Sequence, residues 1–308
     1  MAFIPENNIK VSVSIITYNH ENFIVEAIEG VLKQKVNFDY EIIIGDDYSI
    51  DGTREILKEY KKRYPKCIKL ILHPRRYKEI PGRTNNITNI YACQGKYIAL
   101  LDGDDYWISE NKLQTQVDFL DQHDEYALSS HNAKIFSEEN KFKPYLFSEK
   151  FIYLNKGSTF THDDVAKEWF VPTSSLMFRN DLIQQFPDWF WKVYRADYAL
   201  LLLLSQFGKL KYFDKIQSAW RRNDQSFTSM VKMDSPAGLN LTLTERKIFR
   251  ENFIAVKEAE DEAYFHFKTS VLMAKKKSYA KMFFYAGKAI MHDFKYLQRF
   301  IKALTKRI

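Results

Sequence analysis

A rhythm in the first 140 residues constrains this 308-residue chain more than any other feature. Short β-rich runs alternate with helical patterns, and three of the runs stop abruptly at polar or acidic clusters. Val11 to Thr17 reads as a strand that ends in Tyr18-Asn19-His20. Glu41 to Gly45 reads as a second, ending in Asp46-Asp47, Ile68 to Leu72 as a third, and Tyr97 to Leu101 as a fourth, ending in Asp102-Gly103-Asp104-Asp105. Between them, Ile24, Ile28, Val31 and Leu32 mark one face of a helix. Ile56, Leu57, Tyr60 and Tyr64 mark another, opened by the turn Asp51-Gly52-Thr53 and ended by Pro65. A third helix is expected near Asn86 to Cys93. Strands that alternate with helices predict a parallel sheet covered on both faces. In such a sheet the ligand crevice lies at the carboxyl edge of the strands, so the three clusters are expected to converge there.

Three carboxylates within four residues repel one another in a partly dry cleft. A divalent cation or a set of hydrogen-bond donors is the remedy. Hard oxygens with no His or Cys beside them suit Mg2+ or Mn2+ rather than zinc, and such ions often complete their shell with substrate phosphates. An exposed acidic turn is the alternative reading, because Asp-Gly is also a good turn dipeptide.

The combination of blocks resembles the family 2 glycosyltransferases of the GT-A fold. The matching stretches are Thr17-Tyr18-Asn19, then Asp46-Asp47-Tyr48-Ser49-Ile50-Asp51-Gly52-Thr53, then Gly95-Lys96-Tyr97-Ile98 leading to Asp102-Gly103-Asp104-Asp105-Tyr106-Trp107. They occur in family order over roughly residues 10 to 230. The resemblance implies a Rossmann-like, mostly parallel α/β sheet flanked by helices, with a helical C-terminal extension. It also implies a nucleotide-sugar donor, UDP-linked by preference, Mn2+ or Mg2+, inversion at the sugar carbon, and a glycan or lipid-linked acceptor of bacterial surface polysaccharide synthesis. Tyr18 would lie against the base, with Thr17 and Asn19 shaping that wall. Asp47 would accept from the base's imide N–H, Asp46 is the weaker candidate beside it, and Gly103 belongs to the same nucleotide-sugar set. Asp104 would bind the metal, and Asp102 would join it there or help hold the ribose or a metal-bound water. Asp197, in Arg195-Ala196-Asp197-Tyr198, matches the family's general base, and a helix cap is its structural alternative. Arg83 is either a solvated loop arginine or a contact to the nucleotide, and Arg221 and Arg222 are candidate phosphate contacts, although Asn223 stands where the family carries His after Arg221.

On this reading residues 1–232 form the catalytic domain, with 1–125 binding the donor and 126–232 the acceptor, and residues 233–308 form a helical region. Thr242-x-x-Glu245 is a capping-box candidate in it. Glu168 to Ser175, Trp189 and Trp191 are candidate acceptor features, with core packing the expectation for each Trp. His131-Asn132 either lines the donor-sugar pocket or is a buried pair. Lys96 and Lys112 read as surface charges.

Charge is uneven. Residues 275–308 carry 10 Lys and Arg against Asp293 alone, which leaves 36 basic and 38 acidic residues before them. That distribution argues against a nucleic-acid groove in the main domain. Phe294, Leu297, Phe300, Ile301, Leu304 and Ile308 form one helical stripe opposite Lys295, Arg299, Lys302 and Lys306. This is the pattern of an interfacial anchor for an anionic membrane, and equally of a terminal helix packed on protein. With two cysteines and no apolar run of membrane-spanning length, the chain reads as cytoplasmic, or peripheral on the inner face of a membrane. A haloacid-dehalogenase phosphohydrolase would carry its Asp-x-Asp on the first strand, a nicotinamide enzyme would carry G-x-G-x-x-G there, and an inactive sugar-binding module is the remaining rival.

Overall fold

In β1 (Ile9–Thr17), Val11, Val13 and Ile15 point one way into a fully buried apolar cluster, while Ser12 and Ser14 point the other. That alternation decides how the sheet is covered. The apolar face receives α1 (Ile24–Leu32), which contributes Ile24, Ala27, Ile28 and Val31 to the same core. The serine face receives α3 (Arg83–Ala92), a helix that meets the sheet through amides. Asn89 donates to the carbonyls of Ile15 and Ile43 at 2.8 and 3.2 Å, and Asn85 donates to that of Gly45 at 2.8 Å. A Cβ at Gly45 would lie 2.0 Å from the Asn85 Oδ1, so this approach requires glycine.

The computed structural model describes residues 9–76, 82–139, 141–151, 154, 158–222, 235–256, 265–271, 273, 279–292 and 297. Among them β1 pairs in parallel with β2 (Asp39–Asp46) and β4 (Tyr97–Asp102), and β2 pairs with β3 (Ile68–Leu72). A short antiparallel strand, β9 (Met177–Arg179), joins β4 to β6 (Tyr126–Phe136), which runs parallel to β10 (Lys209–Arg221). The order is β3-β2-β1-β4-β9-β6-β10-β5, with β5 (Tyr106–Trp107) at the edge. The two-residue strands β7 (Tyr145–Leu146) and β8 (Thr159–Phe160) pair with β6 and β10. The remaining helices of this unit are α2 (Thr53–Arg63), α4 (Lys112–Gln122), α5 (His162–Lys167) and α6 (Ala196–Ser205). The expected α/β architecture with a mostly parallel sheet is the one observed.

Contacts divide the chain into a unit of Met1–Trp191 with Arg195–Arg222, and a unit of Lys192–Tyr194 with Asn223–Ile308. Within the second, α7 (Pro236–Asn252) and α8 (Tyr279–His292) are described. The capping box expected at Thr242 is not there, because Thr242 lies inside α7 and its hydroxyl bonds back to the Gly238 carbonyl. Ser235 caps instead, accepting the Gly238 N–H at 3.1 Å, with Pro236 in the first turn where a missing N–H costs nothing. Of the amphipathic stripe expected over 294–308, only Leu297 lies within the described residues. No helix among them is long and apolar enough to cross a membrane.

Candidate active site

Strand register gathers the clusters. Thr17 stands opposite Asp46, and Ile16 opposite Asp102, so the ends of β1, β2 and β4 are level along one edge. The loops beyond them are zipped together. The Asp47 N–H donates to the Thr17 carbonyl at 3.0 Å and the Gly103 N–H to the Ile16 carbonyl at 2.9 Å. Asn19, with φ of 54°, accepts the Ile50 N–H on its side chain while its own N–H donates to the Ser49 hydroxyl. Gly103 lies so close to Thr17 and His20 that an added Cβ would be 2.9 Å from the Thr17 Oγ1.

The two carboxylates after β2 differ sharply. Asp46 is fully buried, and its Oδ2 is taken by Arg54 Nε at 2.5 Å and the Ser49 N–H at 3.0 Å, while its Oδ1 has no hydrogen-bond partner among the described residues. Asp47 receives the Gly82 N–H on Oδ2 at 3.2 Å, while its Oδ1 is buried with no hydrogen-bond partner among the described residues. Burial holds the Asp47 carboxyl above its ordinary value, against the opposing pull of the Gly82 N–H and of the Arg76 and His73 charges. A buried acceptor with one vacant oxygen is a site for an external N–H. Arg76 stacks its guanidinium 3.7 Å from the Tyr18 ring centroid, a contact with no sequence signal because Arg76 sits in an irregular loop.

After β4 the charges accumulate. Removal from water, then Asp104, then Asp197 push the Asp102 carboxyl up to about 8. Burial and the charges of Asp104 and Asp102 hold Asp105 well above the carboxylate range. Arg221 braces this turn from β10. Its N–H donates to Asp105 at 2.9 Å and its Nε to the Asp104 carbonyl at 2.8 Å, while its guanidinium pairs with Glu26 and Glu138. Arg83 is 2% exposed and lies 4.7 Å over the Phe190 ring. Asp197 occupies the first turn of α6 beside Val171, Thr173 and Leu201.

The donor set of Asp102 and Asp104 fits a divalent cation chemically. Both are hard oxygen ligands whose mutual repulsion a 2+ charge would relieve. Among the described residues no three His, Cys, Asp or Glu side chains form a complete cage, so such an ion would take its other ligands from substrate or water.

Two expectations change, those for Lys112 and Trp191. Lys112 is not a surface charge: it is fully buried with its Nζ 3.9 Å over the Trp107 ring, and burial depresses its pKa. His131 and Asn132 are buried, with Asn132 bonded to Ser148 and Asp214. Burial and the neighbouring Lys112 hold His131 down to about 3. Trp191 is 42% exposed rather than core, whereas Trp189 is half-buried against Phe190.

A family model described as "Glycosyl transferase family 2" matches residues 12–186. The chain belongs to this family. Membership removes the phosphohydrolase and nicotinamide-enzyme alternatives. An uncharacterised protein of Mycobacterium tuberculosis is 34% identical over 168 residues, which cover 54% of this chain and 46% of that protein. A putative teichuronic acid biosynthesis glycosyltransferase, TuaG of Bacillus subtilis, is 37% identical over 116 residues, covering 37% and 43%. The chain spans about half the length of the curated relatives it matches. Residues 1–349 of Staphylococcus aureus TarS, solved with UDP-GlcNAc, superpose with a TM-score of 0.61 at 18% identity, over 92% of this chain and 81% of that one. That likeness establishes a shared GT-A fold.

Proposed function

We propose that this family 2 chain is a metal-dependent, inverting glycosyltransferase that moves a sugar from a nucleotide-sugar, UDP-linked by preference, to a hydroxyl of a surface glycan or its lipid-linked precursor. The observation that carries the reading is the level register of the β1, β2 and β4 ends, with the Asp197 charge bearing on Asp102. The vacant Asp47 Oδ1 suits the imide N–H of uracil, which cytosine lacks. Tyr18, backed by Arg76, supplies a face for the base. TarS binding UDP-GlcNAc and the teichuronic acid assignment of TuaG support the donor and the surface-glycan acceptor.

In the reaction, Asp47 and Tyr18 fix the nucleoside and the Asp102–Asp104 turn orients the diphosphate. Asp197 takes the proton of the acceptor hydroxyl as that oxygen attacks the anomeric carbon. A Mn2+ or Mg2+ ion held by Asp104 and Asp102 would offset the charge that builds on the departing nucleoside diphosphate. A single in-line displacement inverts the carbon. Arg221 acts by holding the Asp104–Asp105 turn.

Calorimetric titration of UDP with and without Mn2+ tests the donor side, and slow UDP-sugar hydrolysis tests chemistry. Metal-dependent UDP binding, with hydrolysis that disappears in Asp104→Ala, is expected. Asp197→Asn should keep UDP binding and lose transfer, and the anomeric coupling of the product reads inversion. Binding of UDP that ignores both metal and the Asp104 change would sink the reading, and UDP-sugars that bind but never turn over would point to the inactive module.

A further inference from the structure

Helix α8, in the second unit, is apolar on two opposite faces. Met282, Ala286 and Ala289 are buried, and Ala289 packs against Phe267. Met291 stands nine residues from Met282, which at 3.6 residues per turn is about two and a half turns, so it points directly away from that buried face. It is 87% exposed, Phe284 beside it is 57% exposed, and Phe283, about a quarter-turn round from the buried face, is 57% exposed as well. A Cβ at Gly287, between them, would meet nothing within 4 Å. Exposed lysines 281 and 288 flank the outward face, with the Lys288 Nζ 4.8 Å over the Phe284 ring. No Asp or Glu occurs from Tyr279 to His292.

Phe284 and Met291, exposed together on one helix with the Phe283 ring at their edge, mark a surface that something covers. The charge identifies what. Two copies apposed through this face would bring four lysines together with no carboxylate on the helix to offset them, and residues 275–308 carry +9. A surface that is apolar within and anionic at its rim satisfies both features: the rings enter the headgroup boundary by about 5–10 Å while the lysine stems reach the phosphates. We propose that the outward face of α8, made by Phe283, Phe284 and Met291 with Lys281 and Lys288, docks on an anionic phospholipid surface.

Sedimentation of the full chain with vesicles tests this. Vesicles of phosphatidylcholine with about 30 mol% phosphatidylglycerol should carry the protein down, and pure phosphatidylcholine should not. Binding should weaken between about 0.05 and about 0.5 M salt. Phe283→Ser/Phe284→Ser/Met291→Ser should lose at least ~10-fold in affinity for the anionic vesicles. Lys281→Gln/Lys288→Gln should lose affinity comparably and become less sensitive to salt. Both variants should keep the wild-type melting temperature and metal-dependent UDP binding, since none of these residues lies in the donor site. The proposal is overturned if the wild type ignores the anionic vesicles, or if both variants bind them as the wild type does. A wild-type dimer that the triple variant converts to monomer without lipid would also overturn it, and would make the face a contact between copies.

Discussion

The acidic clusters at the ends of β2 and β4 sit on the same edge of one sheet and have opposite designs. At β2 the protein supplies a counter-charge itself, since the Asp46 Oδ2 is held by Arg54 and the Ser49 N–H, while the Oδ1 atoms of Asp46 and Asp47 have no hydrogen-bond partner among the described residues. At β4 three carboxyls crowd together, and the bracing groups of Arg221 reach a main-chain carbonyl and Asp105. The difference teaches that the fold pairs Asp46 with an arginine, whereas at β4 the carboxyls raise one another's pKa. On the proposed reading, breaking the Arg54–Asp46 pair should therefore cost stability, whereas changing Asp104 or Asp47 should cost activity or donor binding.

The largest effect expected is at β4. Asp104→Ala should lower metal-dependent donor turnover about 10³-fold, roughly 4 kcal/mol of transition-state stabilisation, with little change in the urea midpoint. A comparable loss of stability would break the contrast. Next, Arg54→Ala at the β2 end leaves the buried Asp46 charge without its partner, and should cost about 3 kcal/mol of folding free energy by chemical denaturation. Asp47→Asn comes third. It should weaken UDP about tenfold, or ~1.4 kcal/mol, because an amide offers one acceptor where the carboxylate offers two.

The pH dependence sharpens the same point. Because the folded Asp47 pKa is raised, the unliganded protein should lose this group's stabilising contribution as pH rises from the ordinary carboxylate value through the raised one. UDP affinity should rise over the same window as the acceptor ionises, and Asp47→Asn should flatten that rise in a calorimetric pH series. The smallest effect is expected for Arg76→Ala. Losing one cation–π contact behind Tyr18 should weaken UDP about threefold without touching the metal dependence.

How much of this was legible in the sequence depends on the range of the forces involved. The four parallel strands could be read because short β-rich runs alternate with helical spacing, and their carboxyl ends mark the crevice. Helices α1 and α2 followed from apolar spacing. The Arg54 lock on Asp46 and the Arg76 stack on Tyr18 carry no periodicity; they depend on loop geometry that spacing does not encode. Lys112 misled for a related reason. A lone lysine on a helix is normally solvated, and only the meeting of Trp107 with the buried face of α4 removes it from water. The reach of β10 alongside β6 was likewise hidden, because its polar middle, Asp214 and Lys215, interrupts the apolar pattern and marks a register shift rather than a strand end. The outward face of α8 was missed because the apolar spacing there was read only over 294–308.

The brace between Arg221 and Asp105 joins residues 116 positions apart. During synthesis, the turn that carries Asp102, Asp104 and Asp105 therefore emerges long before the strand that steadies it. The first four strands can pair while the ribosome is still working, but the acidic turn gains its Arg221 brace only when β10 has been made and zipped beside β6. Contacts this distant in sequence form slowly, so the turn is steadied late in the life of the nascent chain.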